Sequence, residues 1–90
     1  MGKLADQIYT RSSDIARLER MVEALPSTVR VRLTLCDGNI VTGSVTERPN
    51  VQVFENVHGQ EGINGLLRLD NPKHYLWLGD IEKVERLDLH

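Results

Sequence analysis

Several residue types are scarce in this chain of 90 residues, and each scarcity excludes a class of protein. Cys36 is the single cysteine, so no disulfide can form within the chain. No apolar run is long enough to cross a bilayer, and the first residues lack the apolar core of a signal peptide. We therefore expect a protein without membrane spans that works in the reducing cytoplasm.

The chain also lacks an excess of charge of one sign. Eleven basic and thirteen acidic residues leave a formal net charge of −2, and neither sign dominates either end of the sequence. Long-range attraction to nucleic acid is weak for such a chain. A few neighbouring lysines and arginines can still hold phosphate, because such contacts depend on local charge.

Patterns for metal binding and catalysis are missing as well. The candidate metal ligands show neither C-x-x-C nor H-x₃-H spacing; they are Cys36, His58, His74 and His90. No glycine-rich phosphate-binding fingerprint occurs. Cys36 directly precedes the Asp37-Gly38 turn, where it is expected to pack or to line the turn instead of acting as a catalytic nucleophile. The sequence predicts no metal, no cofactor and no catalytic residue, and hence a protein that is not an enzyme.

What is present is enough to fold. The hydrophobic share of 40% and the charged share of 27% are ordinary for a globular protein. A chain of this length buries only about 60 to 65% of its unfolded surface, so the core must be compact or helped by self-association. We expect one domain over residues 1–90.

An amphipathic helix is predicted over residues 13–25, after an N-terminal extension over 1–12. Ser12 or Ser13 can cap it, and Pro26 prevents further propagation. Its apolar stripe either packs on the sheet that follows or seals a dimer, and we favour packing within the chain. The stripe consists of Ile15, Leu18, Val22 and Leu25.

From residue 29 the apolar period changes from helical to two, which predicts strands. Residues 29–35 form the first strand, Asp37-Gly38 the hairpin turn, and 40–45 the returning strand, with a bulge or bend at Gly43. The remaining expectations are a strand over 51–55, a loop over 57–65, a short strand over 66–69, and strands over 75–78 and 81–87. Such short strands predict a mainly β protein whose strongly bent antiparallel sheet closes into a small barrel over 29–87.

Two stretches carry a resemblance to a known family. Residues 31–45 hold the hairpin Asp37-Gly38 and the bend glycine Gly43, and residues 76–84 hold the corner Gly79-Asp80. In this pattern the chain resembles the Sm-like family and, more narrowly, an Sm-like variant of unknown function from proteobacteria. The resemblance implies an N-terminal helix and a five-stranded open barrel of the SH3 type. It also implies ring assembly and RNA binding, as in the bacterial RNA chaperone Hfq.

The nucleotide-reading half of the family pattern differs in this chain. The Asp-x-x-Met-Asn signature is replaced by Pro49-Asn50-Val51-Gln52-Val53, and the arginine before the corner glycine is replaced by Leu78. The fold-making half of the pattern is retained. The resemblance therefore predicts the fold more firmly than it predicts an RNA site.

Candidate RNA-binding residues lie on or near the predicted turns. Phe54 lies close to where the family stacks a base, but we favour the interpretation that Phe54 and Trp77 are both core residues on alternating strands. The residues that could reach the backbone of an RNA are Arg48, Asn50, Lys73 and His74.

Charges of opposite sign mark the first and last predicted strands. Arg30 and Arg32 project from the first strand, and they form either an RNA-facing stripe or, as we favour, a solvated face. Glu82, Glu85 and Asp88 alternate on the last strand. If the two strands are neighbours, we expect these charges to set their register.

The sequence thus predicts a non-enzymatic binding module, with weak RNA binding as its first candidate function. The alternative is a protein-interaction or self-assembly module in which homo-oligomers form by pairing of exposed strand edges.

Overall fold

A computed structural model describes residues 3–70 and 72–87 of the chain. In chain order its elements are β1 (Lys3–Leu4), α1 (Ser12–Glu23), β2 (Arg30–Leu35), β3 (Ile40–Val45), β4 (Val51–Glu55), β5 (Glu61–Asp70), β6 (His74–Trp77), a 3₁₀ turn (Leu78–Asp80) and β7 (Ile81–Arg86).

The strands form one curled sheet with β5 at its centre. The order is β1-β4-β5-β3-β2-β7, and β6 pairs with β5. The first half of β5 pairs with β4, while its second half pairs with β6 and its end with β3. The prediction of a mainly β, strongly bent antiparallel sheet behind an N-terminal helix is confirmed. The described residues contain seven strands, which are the six predicted one by one from the sequence and the added β1, whereas the family resemblance implied five.

The prediction of a loop over residues 57–65 is wrong, because β5 already begins at Glu61. Its glycines allow close approach inside the sheet instead of marking a loop. A Cβ on Gly62 would lie 2.9 Å from the Cβ of Ile8. A Cβ on Gly65 would lie 2.5 Å from Leu78 Cδ1 and 2.8 Å from the carbonyl oxygen of Asn50.

The predicted hairpin between β2 and β3 is confirmed. Gly38 has a φ of +90°, which suits glycine, and the Asp37 carboxylate accepts a hydrogen bond of 3.0 Å from the Asn39 amide. The pairing of β2 with β3 stays in register through Gly43, so the bulge considered there is not found. Gly43 is needed for another reason, because its Cβ would lie 3.0 Å from the carbonyl oxygen of Asp70.

Helix α1 packs on the sheet of its own chain, as favoured from the sequence. Leu18 is fully buried, and Met21, which the apolar stripe did not include, is 8% exposed. Leu25 is also fully buried, but it lies two residues after the end of α1, which stops at Glu23 and not at the predicted residue 25. The expectation of a serine cap is wrong, because Arg11 takes the N-cap position and makes no capping hydrogen bond with its side chain. The core around α1 is formed by Leu18, Met21, Leu25, Val29, Val31, Leu33, Val45, Leu67, Leu69, Leu78 and Ile81.

The first and last predicted strands are neighbours within the chain, which meets the condition under which their charges were expected to set the register. Arg32 lies opposite Glu85 in the β2–β7 ladder, with Nη1 4.0 Å from Oε2. Both side chains are substantially exposed, so this pair supports the register more than the stability. The register shifts between Thr34 and Leu35, which leaves Glu82 without a Cα partner in the ladder, and Asp88 lies outside the described residues.

Candidate functional site

A groove of about 270 Å³ crosses the face of the sheet opposite the main core. We call it the basic groove. It is lined by Lys3, Glu47, Arg48, Pro49, Asn50, Gln52, Phe54, Leu66 and Arg68.

The alternation of the strands decides which residues reach this groove. Gln52 and Phe54 on β4 point to it, and so do Leu66 and Arg68 on β5. The connection between β3 and β4 supplies Arg48, whose backbone N–H donates to the Ser27 hydroxyl oxygen at 3.0 Å.

This connection is also fastened to β5. The backbone N–H and the hydroxyl of Thr46 donate to the carbonyl oxygen of Arg68 at 3.2 Å and 3.1 Å. These bonds bring the connection that carries Arg48 alongside the strand that carries Arg68. Both arginines therefore line the same groove.

The aromatic residue in the lining of the basic groove is Phe54, which packs on Trp77. Phe54 is 4% exposed and meets Trp77 edge to face, with ring centroids 5.1 Å apart and planes at 88°. Phe54 is therefore buried, as we favoured from the sequence, although it lies outside the main core cluster. Almost none of its ring surface is accessible to a base.

The charges along the groove are mainly positive. Lys3, Arg48 and Arg68 face a single carboxylate, that of Glu47, in the lining. The ammonium of Lys3 donates to Gln52 Oε1 at 3.2 Å, which leaves the amide nitrogen of Gln52 as a donor. A chain with a net charge of −2 thus carries a local excess of positive charge here.

An exposed aromatic ring stands beside the groove. Tyr75 on β6 is 55% exposed and lies opposite Arg68 on β5. The Arg68 guanidinium carbon lies 5.8 Å from the centroid of the Tyr75 ring, a cation–π contact. This pair joins a flat stacking surface to a cation of the groove.

The structure brings together three of the five sequence-predicted site residues. Arg48, Asn50 and Phe54 line the basic groove. Lys73 is exposed in the turn between β5 and β6, and His74 opens β6 opposite Leu69. Neither of these two lines the groove.

Sequence reasoning missed Lys3, Gln52, Arg68 and Tyr75. Gln52 was visible in the two-residue period that it shares with Phe54. Arg68 and Tyr75 become neighbours only through the β5–β6 ladder, and Lys3 arrives through its pairing with Phe54. No local pattern in the sequence contains these pairings.

The corner at Gly79 is a structural centre rather than an open site. Leu78, which stands where the Sm-like pattern has an arginine, is fully buried in the main core. Asn64 is also fully buried, and its Oδ1 accepts hydrogen bonds from the amides of Gly65 and Gly79 at 2.8 Å and 3.1 Å. Its amide nitrogen donates to the carbonyl oxygen of Gln7 at 2.8 Å.

Tyr9 closes the same corner from the N-terminal side. Its hydroxyl donates to the carbonyl oxygen of Gly79 at 3.3 Å, and the Arg17 guanidinium lies 5.9 Å from its ring centroid. Burial raises the pKa of Tyr9 above its ordinary value of 10.0, while the charge of Arg17 opposes that rise.

Within residues 3–70 and 72–87, no three side chains of His, Cys, Asp or Glu come close enough to hold a metal ion. Cys36, His58 and His74 are therefore not gathered into a cluster, and His90 lies outside these ranges. No helix in the described part of the chain is long and apolar enough to span a membrane.

Comparison with known proteins agrees with this geometry. A family model described as a domain of unknown function (DUF3247) matches residues 2–87. The chain belongs to this family. No curated protein matches it.

A solved structure shows the fold of a relative. XC5848 from Xanthomonas campestris, whose crystal structure is described as a novel variant of the Sm-like motif, is 34% identical to this chain. The match covers 97% of this chain and 99% of the other, with a TM-score of 0.90. The resemblance to an Sm-like variant, inferred from the hairpin and corner residues, is confirmed.

Proposed function

We propose that this member of the DUF3247 family is a non-enzymatic binding module that holds single-stranded RNA in the basic groove. One observation carries the proposal: three cationic side chains and two carboxamides line the basic groove, and the exposed ring of Tyr75 lies beside it. Phosphate needs cations, and unstacked bases need flat side chains and hydrogen-bonding groups. The groove and its rim offer all of these.

Each part of the site has a role in this proposal. Arg48 and Arg68 contact phosphate, and a base stacks on Tyr75. The carboxamides of Asn50 and Gln52 meet the edge of a base, while buried Phe54 supports the floor. Lys73, exposed in the turn before β6, extends the path of the RNA beyond Tyr75. His74 pairs with the core residue Leu69, so strand alternation places it on the face opposite Tyr75 and gives it no role in this proposal.

The charge count indicates that binding is weak. Three neutralised phosphates correspond to a slope of only about −2 in log K against log salt for a single strand. Glu47 reduces the local positive charge further. We therefore expect binding at low salt that decreases clearly at moderate salt.

Fluorescence anisotropy with short U-rich and A-rich RNA at low and moderate salt tests the proposal. Arg48→Gln and Arg68→Gln should each weaken binding about threefold to tenfold through loss of one charge-assisted contact. Tyr75→Ala should weaken it about tenfold or more through loss of stacking. The matched control is Arg20→Gln, because Arg20 is exposed on α1 and does not line the groove.

Two results would count against RNA binding at this groove. The first is no binding to wild-type protein at low salt. The second is an Arg20→Gln variant that loses as much affinity as Arg48→Gln, since the loss would then reflect overall charge and not a site.

Self-assembly is the second candidate function, and open strand edges favour it. Within the described residues β6 pairs only with β5, and β7 pairs only with β2. Each strand thus leaves one edge with unpaired backbone groups that another copy can match. Light scattering across a range of protein concentrations should show masses above the monomer, and a monomeric mass throughout would exclude this function without bearing on RNA binding.

A further inference from the structure

The segment that delivers Lys3 to the basic groove is firmly held at one end. Tyr9 and Ile63 exchange two backbone hydrogen bonds of 2.9 Å and 2.8 Å. Ile8 packs so closely on Gly62 that no Cβ would fit there, and the Tyr9 hydroxyl reaches Gly79. These contacts anchor the segment at residues 8–9.

The other end is held much more lightly. Strand β1 pairs with β4 over two residues, Lys3 with Phe54 and Leu4 with Glu55. One further hydrogen bond of 2.9 Å runs from the Ala5 amide to the carbonyl oxygen of Glu55. Leu4 is 71% exposed, and Ala5, at 5% exposed, buries no more than a methyl group.

This difference sets the free energy of opening at the two ends. A short edge strand that buries one small side chain opens locally at low cost, whereas a segment anchored in packed structure opens only with its surroundings. Gln7 belongs to the anchored end, because its carbonyl oxygen accepts a hydrogen bond of 2.8 Å from the buried Asn64 side chain. Asp6 is exposed and lies between the two attachments, so it is the place where the backbone can bend when β1 leaves β4.

Lys3 and Gln52 offer a simple exchange when a ligand enters. The Lys3 ammonium donates to the neutral Gln52 Oε1 at 3.2 Å. A phosphate oxygen is a stronger acceptor, because the hydrogen bond is then charged on both sides. When Lys3 turns to phosphate, Gln52 Oε1 becomes free to accept a hydrogen bond from a base.

We propose that β1 is a movable wall of the basic groove, and that Lys3 is a ligand-contacting residue which this wall brings onto bound RNA. The proposal rests on the proposed function for its ligand. In the free protein β1 opens and closes about Asp6. Bound RNA holds it closed through Lys3.

Hydrogen exchange of two backbone amides tests the movement without ligand. The amides of Ala5 and Tyr9 both donate to the backbone of a neighbouring strand, at 2.9 Å in each case. After correction for intrinsic rates, Ala5 should exchange at least about tenfold faster than Tyr9, because β1 opens locally. Equal protection of the two amides would show that β1 does not move independently and would overturn the proposal.

The same measurement with short U-rich RNA tests the role of Lys3. RNA should slow exchange at Ala5 in the wild type and leave it unchanged in Lys3→Gln, which should also bind RNA a few-fold more weakly. Lys83→Gln is the matched control, because Lys83 is exposed on β7 and outside the groove. It should match the wild type in both readouts.

The outcomes separate this proposal from the proposed function. RNA binding that depends on Arg48, with neither Lys3→Gln nor Ala5 protection showing any effect, would keep the RNA function and overturn the movable wall. No RNA binding at all would overturn the RNA function, and with it the role given to Lys3.

Discussion

At the scale of single residues, the lack of a side chain at Gly79 allows Tyr9 to pack against the corner that precedes β7. A Cβ on Gly79 would collide with the ring of Tyr9, and it would lie 2.5 Å from the phenolic oxygen. The three heavy atoms nearest to that Cβ all belong to the Tyr9 side chain. The packing of Tyr9 is therefore what requires glycine at position 79.

We predict that Gly79→Ala lowers the free energy of unfolding by about 1 to 3 kcal/mol, because it overpacks this corner. The same change in a Tyr9→Ala background should cost less than about 1 kcal/mol, since the colliding ring is gone. Urea denaturation of the four proteins of this double-mutant cycle measures the coupling. Additive effects would show that glycine is required for another reason.

At the scale of elements, α1 begins without the serine capping bond that the sequence predicted. Arg11 has the extended backbone of an N-cap residue, with φ −75° and ψ 138°, but its side chain makes no capping hydrogen bond. Ser12 and Ser13 lie one and two positions too late to cap. Asp14 in the first turn complements the helix dipole, as expected.

Arg11→Asn should therefore stabilise the protein by about 1 kcal/mol, because an asparagine side chain can accept a hydrogen bond from the first turn. Arg11→Ala is the control. It removes the same unfavourable positive charge from the helix N-terminus without adding a cap. Thermal unfolding should rank Asn above Ala, and equal stabilities would show that the N-terminus of α1 gains nothing from a cap.

Elements differ in how far the sequence predicts them. The helix and the Asp37-Gly38 hairpin depend on neighbours in sequence, and both were predicted. Strand β5 was predicted only from residue 66, because Gly62 and Gly65 are typical of loops in sequence. Glycine is required at these two positions because Ile8 and Leu78, which are distant along the chain, pack directly against them.

At the scale of the whole molecule, Tyr9 connects parts that are far apart in sequence. It pairs with Ile63 on β5, meets Arg17 on α1, and donates to Gly79 at the corner before β7. Its pKa is raised by burial, with Arg17 lowering it and the charges of Asp80, Cys36 and Asp14 raising it. The folded state therefore favours the neutral phenol more than the unfolded state does.

The pH dependence follows from that sign. A raised pKa in the folded state means that the stabilisation is fully present below the ordinary value of 10.0 and is lost as pH rises above it. We predict that denaturant midpoints decrease more steeply above pH 10.0 in the wild type than in Tyr9→Phe. Tyr75→Phe, which removes the other tyrosine, should keep the steep decrease, and parallel curves for wild type and Tyr9→Phe would contradict the role of Tyr9.

The candidate site shows why a sequence predicts this fold better than its binding surface. Arg48, Asn50 and Phe54 were found because they lie close together around one turn. Arg68 and Lys3 were not found, since they join the groove through the registers of β5 with β6 and of β1 with β4. A shift of one residue in either register would turn these side chains to the opposite face.

The sequence by itself determined the helix, the β2–β3 hairpin and the Gly79-Asp80 corner, because periodicity and turn chemistry act between near neighbours. The Sm-like character came from the resemblance of the hairpin and corner residues to a known family. Only the tertiary structure decided that the glycines of β5 belong to a strand, that Leu78 is core, and that three scattered cations form one groove. Those outcomes depend on strand register and on close contacts between distant segments. Neither the register nor these contacts can be read from residues that are neighbours in the sequence.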